Sequence, residues 1–258
     1  MDKETIVINF FGEPSTGKST AAAYVFSQLK MAGVEAEYVS EYAKDKVWEE
    51  NSEVFKSDNQ AYLFGKQFYK MNICKNKVDV IVTDSPLFLN ILYNKSEVLG
   101  DSFNHTVLNC FNSFDNRSYF LTRDFAYENI GRRHNEEQSQ GLRNELYGLL
   151  KENKVDFEVL KTNCDNYDRI VADTIYELSQ RDIKRRREAV LNQVQENNNN
   201  LDNEETYSLT TTEDITGTIG AWLDSEIDAP KEVIKSLQKT YDLAVKGISK
   251  PLEAPKKE

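Results

Sequence analysis

Gly12-Glu13-Pro14-Ser15-Thr16-Gly17-Lys18-Ser19-Thr20 places an amine and two hydroxyls directly after the second of two glycines, in the pattern G-x-x-x-x-G-K-[ST]. Each residue type has a task at a phosphate. The glycines let backbone N–H groups curl round a β-phosphate, and a helix starting behind them adds its positive end. Lys18 has the reach to meet the β- and γ-phosphates, and Ser19 offers a hydroxyl to Mg²⁺. ATP and Mg²⁺ are therefore the expected cofactors, with residues 12–20 as the nucleotide-binding segment.

Two carboxylates stand where such a loop needs them. Asp84 follows the apolar run Val78-Asp79-Val80-Ile81-Val82-Thr83, which reads as a central parallel strand. An acid at the carboxyl end of that strand faces the ligand crevice and suits Mg²⁺, directly or through water. A helix N-cap before Pro86 is the plainer role for Asp84, and the two are compatible. Glu41 ends the alternating segment V-E-A-E-Y-V-S and opens on the same crevice. There it can take the proton of an attacking hydroxyl; the plainer role is a helix-start glutamate. Tyr42 and Trp48 lie close by in sequence, with core packing as the default and stacking on an aromatic base as the alternative. Arg123, Arg132 and Arg133 fall in the polar stretch RDFAYENIGRRHNEEQSQ, which has the composition of a lid. Guanidinium groups there would close over the charge that phosphoryl transfer spreads across the equatorial oxygens.

Positioning these groups takes a sheet. Strands are expected at Ile6–Phe11, Val34–Ser40, Val78–Thr83, Ser118–Thr122 and Asp156–Leu160. Helices are expected from Gly17 to about Lys30, at 43–50 and 58–76, after Pro86, at 138–151, and from Tyr167 towards Val194. Parallel neighbours require crossovers that cover both faces, so the expected fold is a three-layer α/β/α sandwich with a five-stranded parallel sheet.

That fold should occupy residues 1–190 as the catalytic domain, with a polar linker at 195–212. The run QENNNNLDNEET has no apolar period and reads as a linker or a disordered segment. Residues 213–258 should form a short helical extension, available for dimerisation or a partner. Lys184-Arg185-Arg186-Arg187 reads as a solvated helix end.

Composition narrows the function classes. The 258 residues carry a formal net charge of −11, which argues against a general nucleic-acid binder. Cys74, Cys110 and Cys164 are odd in number, lack a C-x-x-C pair, and read as buried small hydrophobes in a reduced cytoplasm. His105 and His134 are too isolated for zinc, and neither a signal peptide nor a membrane span is evident. A soluble cytoplasmic protein is expected.

Together, GEPSTGKST, SEYAKD, TDSP and YENIGRRHNEEQ resemble a P-loop kinase. They are similar to a group of phage and bacterial ATP-binding proteins related to NadR-type ribosylnicotinamide kinases. Lys44 occupies the position where that group often has arginine. The Glu41 and Trp48 arrangement also resembles deoxynucleoside kinases, in which a glutamate after strand two acts as base. The resemblance covers about residues 3–180 and implies γ-phosphate transfer from ATP to a ribosylnicotinamide, nucleoside or nucleotide, in host cytoplasm if the chain is phage-encoded. Under it, Lys18, Glu41, Asp84, Arg123 and Arg132 carry the chemistry, and Ser19 and Asp84 the metal. The alternatives are a DNA-modification kinase acting on hydroxymethylated bases and a non-kinase ATPase with a regulatory or interaction role. The chain has no N-K-x-D motif and no Asp-Glu pair after strand three, as motor and signalling NTPases usually do.

Overall fold

The computed structural model describes residues 4–122 and 136–201. Five parallel strands form one sheet: β1 (Ile6–Phe11), β2 (Ala36–Val39), β3 (Val80–Thr83), β4 (Asp115–Thr122) and β5 (Glu158–Lys161), in the order β2-β3-β1-β4-β5. β1 lies at the centre, with Asn9 paired to Thr83 on one side and to Ser118 on the other. All six β1 side chains are buried, each worth about 1.5–3 kcal/mol when apolar and fully removed from water.

Successive β1 residues feed opposite faces, as strand geometry requires. Ile6, Ile8 and Phe10 join Val80 and Val82 in one core. That core is closed by α1 (Lys18–Met31) through Ala21, Ala22, Val25 and Leu29, and by α7 (Cys164–Leu201) through Tyr167 and Ile170. Val7 and Phe11 join Ile81 and Phe120 on the other face. Here the cover is α3 (Gln60–Asn72), α4 (Leu89–Tyr93), α5 (Gly100–Asn112) and α6 (Glu136–Glu152). The expected three layers are present. A short helix, α2 (Tyr42–Trp48), follows β2, and two single 3-10 turns lead from it into α3.

Several expectations shift. β2 is four residues long, not seven, and the helix foreseen at 58–76 ends at Asn72. Pro86 does not open a helix. Leu89, Asn90 and Ile91 donate to the carbonyls of Pro86, Leu87 and Phe88, so a tight turn carries the chain into α4. The cysteines are not all buried: Cys74 and Cys110 are half-buried, with burial pushing both thiols up, and Cys164 is exposed at the start of α7. The polar run expected to begin the linker is helical through Leu201. Elongating an existing helix gains one hydrogen bond per residue fixed, so polarity alone does not stop it.

The chain divides into two units, Met1–Leu178 and Ser179–Glu258. The first contains the sheet. In the second, Asp182 accepts from Arg185 at 2.5 Å and Arg186 at 2.8 Å within α7, so two of the basic cluster's guanidiniums are locally paired. The amphipathic stretches expected at 213–224 and 230–247 lie outside the described residues. Among the described residues no helix is long and apolar enough to cross a membrane.

Candidate active site

The loop between β1 and α1 is held by its own backbone. Gly12 has φ +141, Ser15 +64 and Gly17 +82, so three of its residues adopt backbone that L side chains rarely take. Alternation of this kind makes concavities lined by N–H groups, which receive anions. A Cβ on Gly12 would stand 2.8 Å from Thr16 Oγ1 and 3.0 Å from the Leu121 carbonyl oxygen. Glycine is therefore required there on two grounds. Thr16 Oγ1 donates to the Glu13 carbonyl at 2.9 Å and closes the loop from inside. Lys18 Nζ donates to the carbonyls of Gly12 and Glu13, both at 2.9 Å, so its amine lies across the loop. Gly17 is the N-cap of α1, whose first turn carries no acid, leaving the positive helix end uncompensated there. Ser19 is half-buried in that turn.

Asp84 follows β3 and is 6% exposed. It is not a helix cap, since α4 begins at Leu89 with Phe88 as its N-cap. Its Oδ1 accepts from the Glu41 backbone N–H at 3.1 Å, and its Oδ2 from the Tyr38 hydroxyl at 2.9 Å. A carboxylate has about four lone-pair sites, so roughly two remain for a cation or its water. Burial, and next the Asp84 carboxylate, raise the Tyr38 phenol well above its ordinary value and keep it a donor.

Glu41 is held through its backbone. It is the N-cap of α2 but makes no side-chain cap bond. Thr83 Oγ1 donates to the Val39 carbonyl at 2.8 Å and ties the ends of β2 and β3 together. One residue past Glu41, the Tyr42 N–H donates to Gln67 Oε1 at 2.9 Å; one residue before it, the Ser40 carbonyl accepts from Lys70 Nζ at 2.8 Å. The turn is clamped on both sides.

These groups share one cavity of about 370 Å³, lined by Gly12, Pro14, Lys18, Glu41, Asp84 and Ser85. Its other walls include Ala43, Lys44 and Val47 on one face of α2, the apolar Phe55, Leu63, Leu89, Leu92 and Leu142, and the amides Gln60, Gln67 and Asn90. Trp48 falls just beyond the α2 face and is 64% exposed, so it is neither core nor cavity wall. Tyr42 is not on the cavity wall either, and pairs its hydroxyl with that of Tyr62 at 2.6 Å. Arg123, Arg132 and Arg133 lie outside the described residues.

Tyr38, Gln60, Gln67 and Asn90 were not picked out from sequence. Asn90 had a signal, a lone amide inside the apolar run Leu87-Phe88-Leu89-Asn90-Ile91-Leu92. Tyr38 had none, because its partner Asp84 is 46 residues away.

Among solved structures, a NadR protein crystallised with NR aligns at a TM-score of 0.50 and 19% identity, covering 67% of this chain and 51% of that one. A NadR protein with NAD and AMP-PNP aligns at 0.47 and 18%, covering 67% and 49%. Thymidylate kinase from Ehrlichia chaffeensis aligns at 0.47 and 15%, covering 67% and 98%. The chain thus spans about half the length of the NadR proteins it matches. No curated protein matches it. At these identities the likeness is one of fold, the P-loop NTPase fold. Residues 7–166, from within β1 to the start of α7, match the family described as AAA domain, and the chain belongs to that family.

Proposed function

We propose that the protein is an ATP-dependent kinase that passes the γ-phosphate to a hydroxyl of a small nucleoside-like acceptor: a ribosylnicotinamide, a nucleoside or a nucleotide. One observation carries the reading. The phosphate loop, both carboxylates and an apolar wall studded with amides line a single cavity. Its volume of about 370 Å³ suits a small molecule.

In this reading residues 12–20 hold the phosphates of ATP, and Lys18 meets the charge that builds on the β- and γ-oxygens. Ser19 and Asp84 would hold Mg²⁺. They fit it: Mg²⁺ binds through one or two protein oxygens plus phosphates and water, and Asp84 keeps lone pairs beyond its two donors. Bound there, the ion would neutralise charge on the phosphates. No cluster of three or more His, Cys, Asp or Glu among the described residues would compete as an all-protein metal cage. Glu41 takes the proton of the acceptor hydroxyl as its oxygen bonds to the γ-phosphorus. The bond from phosphorus to the β,γ-bridging oxygen breaks, and ADP leaves. Arg123, Arg132 and Arg133 are assigned to the transferring phosphoryl group. A cytoplasmic location, a catalytic domain within residues 1–190, and a C-terminal extension from residue 213 that mediates dimerisation or partner contact complete the proposal.

ADP release tests it, measured with and without acceptor. A kinase releases ADP in step with phosphorylated acceptor, and Lys18→Ala stops both. A rate indifferent to every acceptor would make the protein an ATPase.

A further inference from the structure

Tyr38 reaches Asp84 from the neighbouring strand, and its side chain is held at both ends. In the β2–β3 register Tyr38 pairs with Val82. Its ring packs into the core on the α1 side of the sheet, 6.1 Å from the ring of Phe26 at an interplanar angle of 35°. At the other end the hydroxyl donates to Asp84 Oδ2 at 2.9 Å. The helix that supports the ring also carries Lys18 and Ser19 in its first turn. Tyr38 thus refers the Asp84 carboxylate to the helix that begins at the phosphate loop.

Two donors on two different oxygens fix the plane of a carboxylate as well as its place. The Glu41 backbone N–H holds Oδ1 at 3.1 Å, and the Tyr38 hydroxyl holds Oδ2. Without the hydroxyl, Asp84 keeps one of these two anchors and can turn about its last bond, a torsion whose wells are broad. At 6% exposure, little water can take the place of the hydroxyl. Metal-ligating carboxylates are oriented by outer hydrogen bonds of this kind, and losing one weakens the metal. Tyr38 is not on the cavity wall, so it acts through Asp84.

We propose that Tyr38 is a positioning residue of the metal site, and that its hydroxyl orients the Asp84 carboxylate for the divalent cation that accompanies the nucleotide. The inference rests on the kinase reading, in which Ser19 and Asp84 hold Mg²⁺, and adds the residue that sets how well they hold it.

Mn²⁺ serves as the probe, because the oxygen ligands that suit Mg²⁺ suit it too. It is titrated onto the full chain already bound to AMP-PNP, with the free ion followed by electron paramagnetic resonance. Tyr38→Phe keeps the ring beside Phe26 and removes only the hydroxyl. It should weaken Mn²⁺ by about 10–100-fold, while calorimetry finds metal-free AMP-PNP affinity within a few-fold of wild type. Its kcat should fall at limiting Mg²⁺ and recover as Mg²⁺ is raised, with KM for the acceptor little changed. Asp84→Asn should weaken Mn²⁺ as well, and adding Tyr38→Phe to it should cost little more, because the hydroxyl acts through the carboxylate. Tyr38→Met, which also lacks the hydroxyl and fills the space flexibly, carries the same expectation should Tyr38→Phe fail to fold. Wild-type Mn²⁺ affinity in either folded variant overturns the assignment. So does a loss of rate that raised Mg²⁺ does not recover, since that marks a merely structural role. Weakened Mn²⁺ in the variants, beside a wild type that phosphorylates no acceptor, would sink the kinase reading and leave this contact standing.

Discussion

Replacing Gly12 by alanine tests the account of the loop most sharply, because two separable costs meet at that position. The first is conformational. At φ +141 an L side chain is strained by about 1–3 kcal/mol. The second is steric: the new Cβ would lie 2.8 Å from Thr16 Oγ1 and 3.0 Å from the Leu121 carbonyl oxygen. Thr16 cannot simply rotate away, since its Oγ1 holds the Glu13 carbonyl at 2.9 Å, and Leu121 O is backbone of β4. Overpacking of this kind costs about 1–3 kcal/mol. A lower entropy of the unfolded chain returns about 0.4–1 kcal/mol. The net destabilisation is about 1–5.5 kcal/mol, a sizeable share of the roughly 5–15 kcal/mol that holds a typical domain together. With a urea slope of about 2 kcal/mol/M, the unfolding midpoint should fall by about 0.5–3 M. Gly33→Ala is the control. Its φ is +83 but no atom lies within 4 Å of the added Cβ, so it should show the conformational cost alone. Far-UV circular dichroism follows both titrations. If Gly12→Ala loses no more than Gly33→Ala, the close packing of loop against β4 plays no part and the reasoning fails.

Glu41→Gln should retain the fold and nucleotide affinity yet lose about 10²–10⁴-fold in kcat, as removal of a general base does; unchanged turnover would leave Glu41 a positioning role only. Alkaline pH should destabilise the protein. Tyr119, pushed up to about 12 chiefly by burial, and Tyr24, pushed up to about 12 chiefly by its hydrogen bond to Asp168, ionise more readily when unfolded. Their contribution is whole below pH about 10, the unfolded value, and is lost as pH rises through about 12. Urea midpoints should drop over that window and drop less in Tyr119→Phe; identical slopes for the two proteins would contradict the assignment. Truncation after Leu201 should leave phosphate transfer largely intact and change the mass found by light scattering. A folded but inactive truncation would place the extension in the active site.

The parts legible in sequence were those written in neighbouring residues. The phosphate loop, the buried β1 and the acid after β3 each sit within a dozen positions that carry their own spacing and their own flanking strand or helix. α5 was not foreseen. Its apolar stripe is only Phe103, Val107 and Phe111, diluted by Asn104, His105, Thr106 and Asn109, and it opens on Gly100 rather than on a capping side chain. Trp48 was misjudged because a single turn of helix decides between wall and solvent. The contacts that complete the site, Tyr38 with Asp84 and Gln60 with Asn90, join residues 46 and 30 positions apart. The first is set by β2 lying beside β3 and the second by α3 lying beside α4, and neither leaves a local period to read.

The central claim is that phosphate leaves ATP for a small hydroxyl-bearing acceptor. Incubation with γ-labelled ATP, Mg²⁺ and either nicotinamide riboside or thymidine, followed by chromatographic separation, tests it most directly. The account predicts label on one of these acceptors with wild type and none with Lys18→Ala. Label found only in inorganic phosphate, or transferred only to DNA containing hydroxymethylated bases, would contradict it.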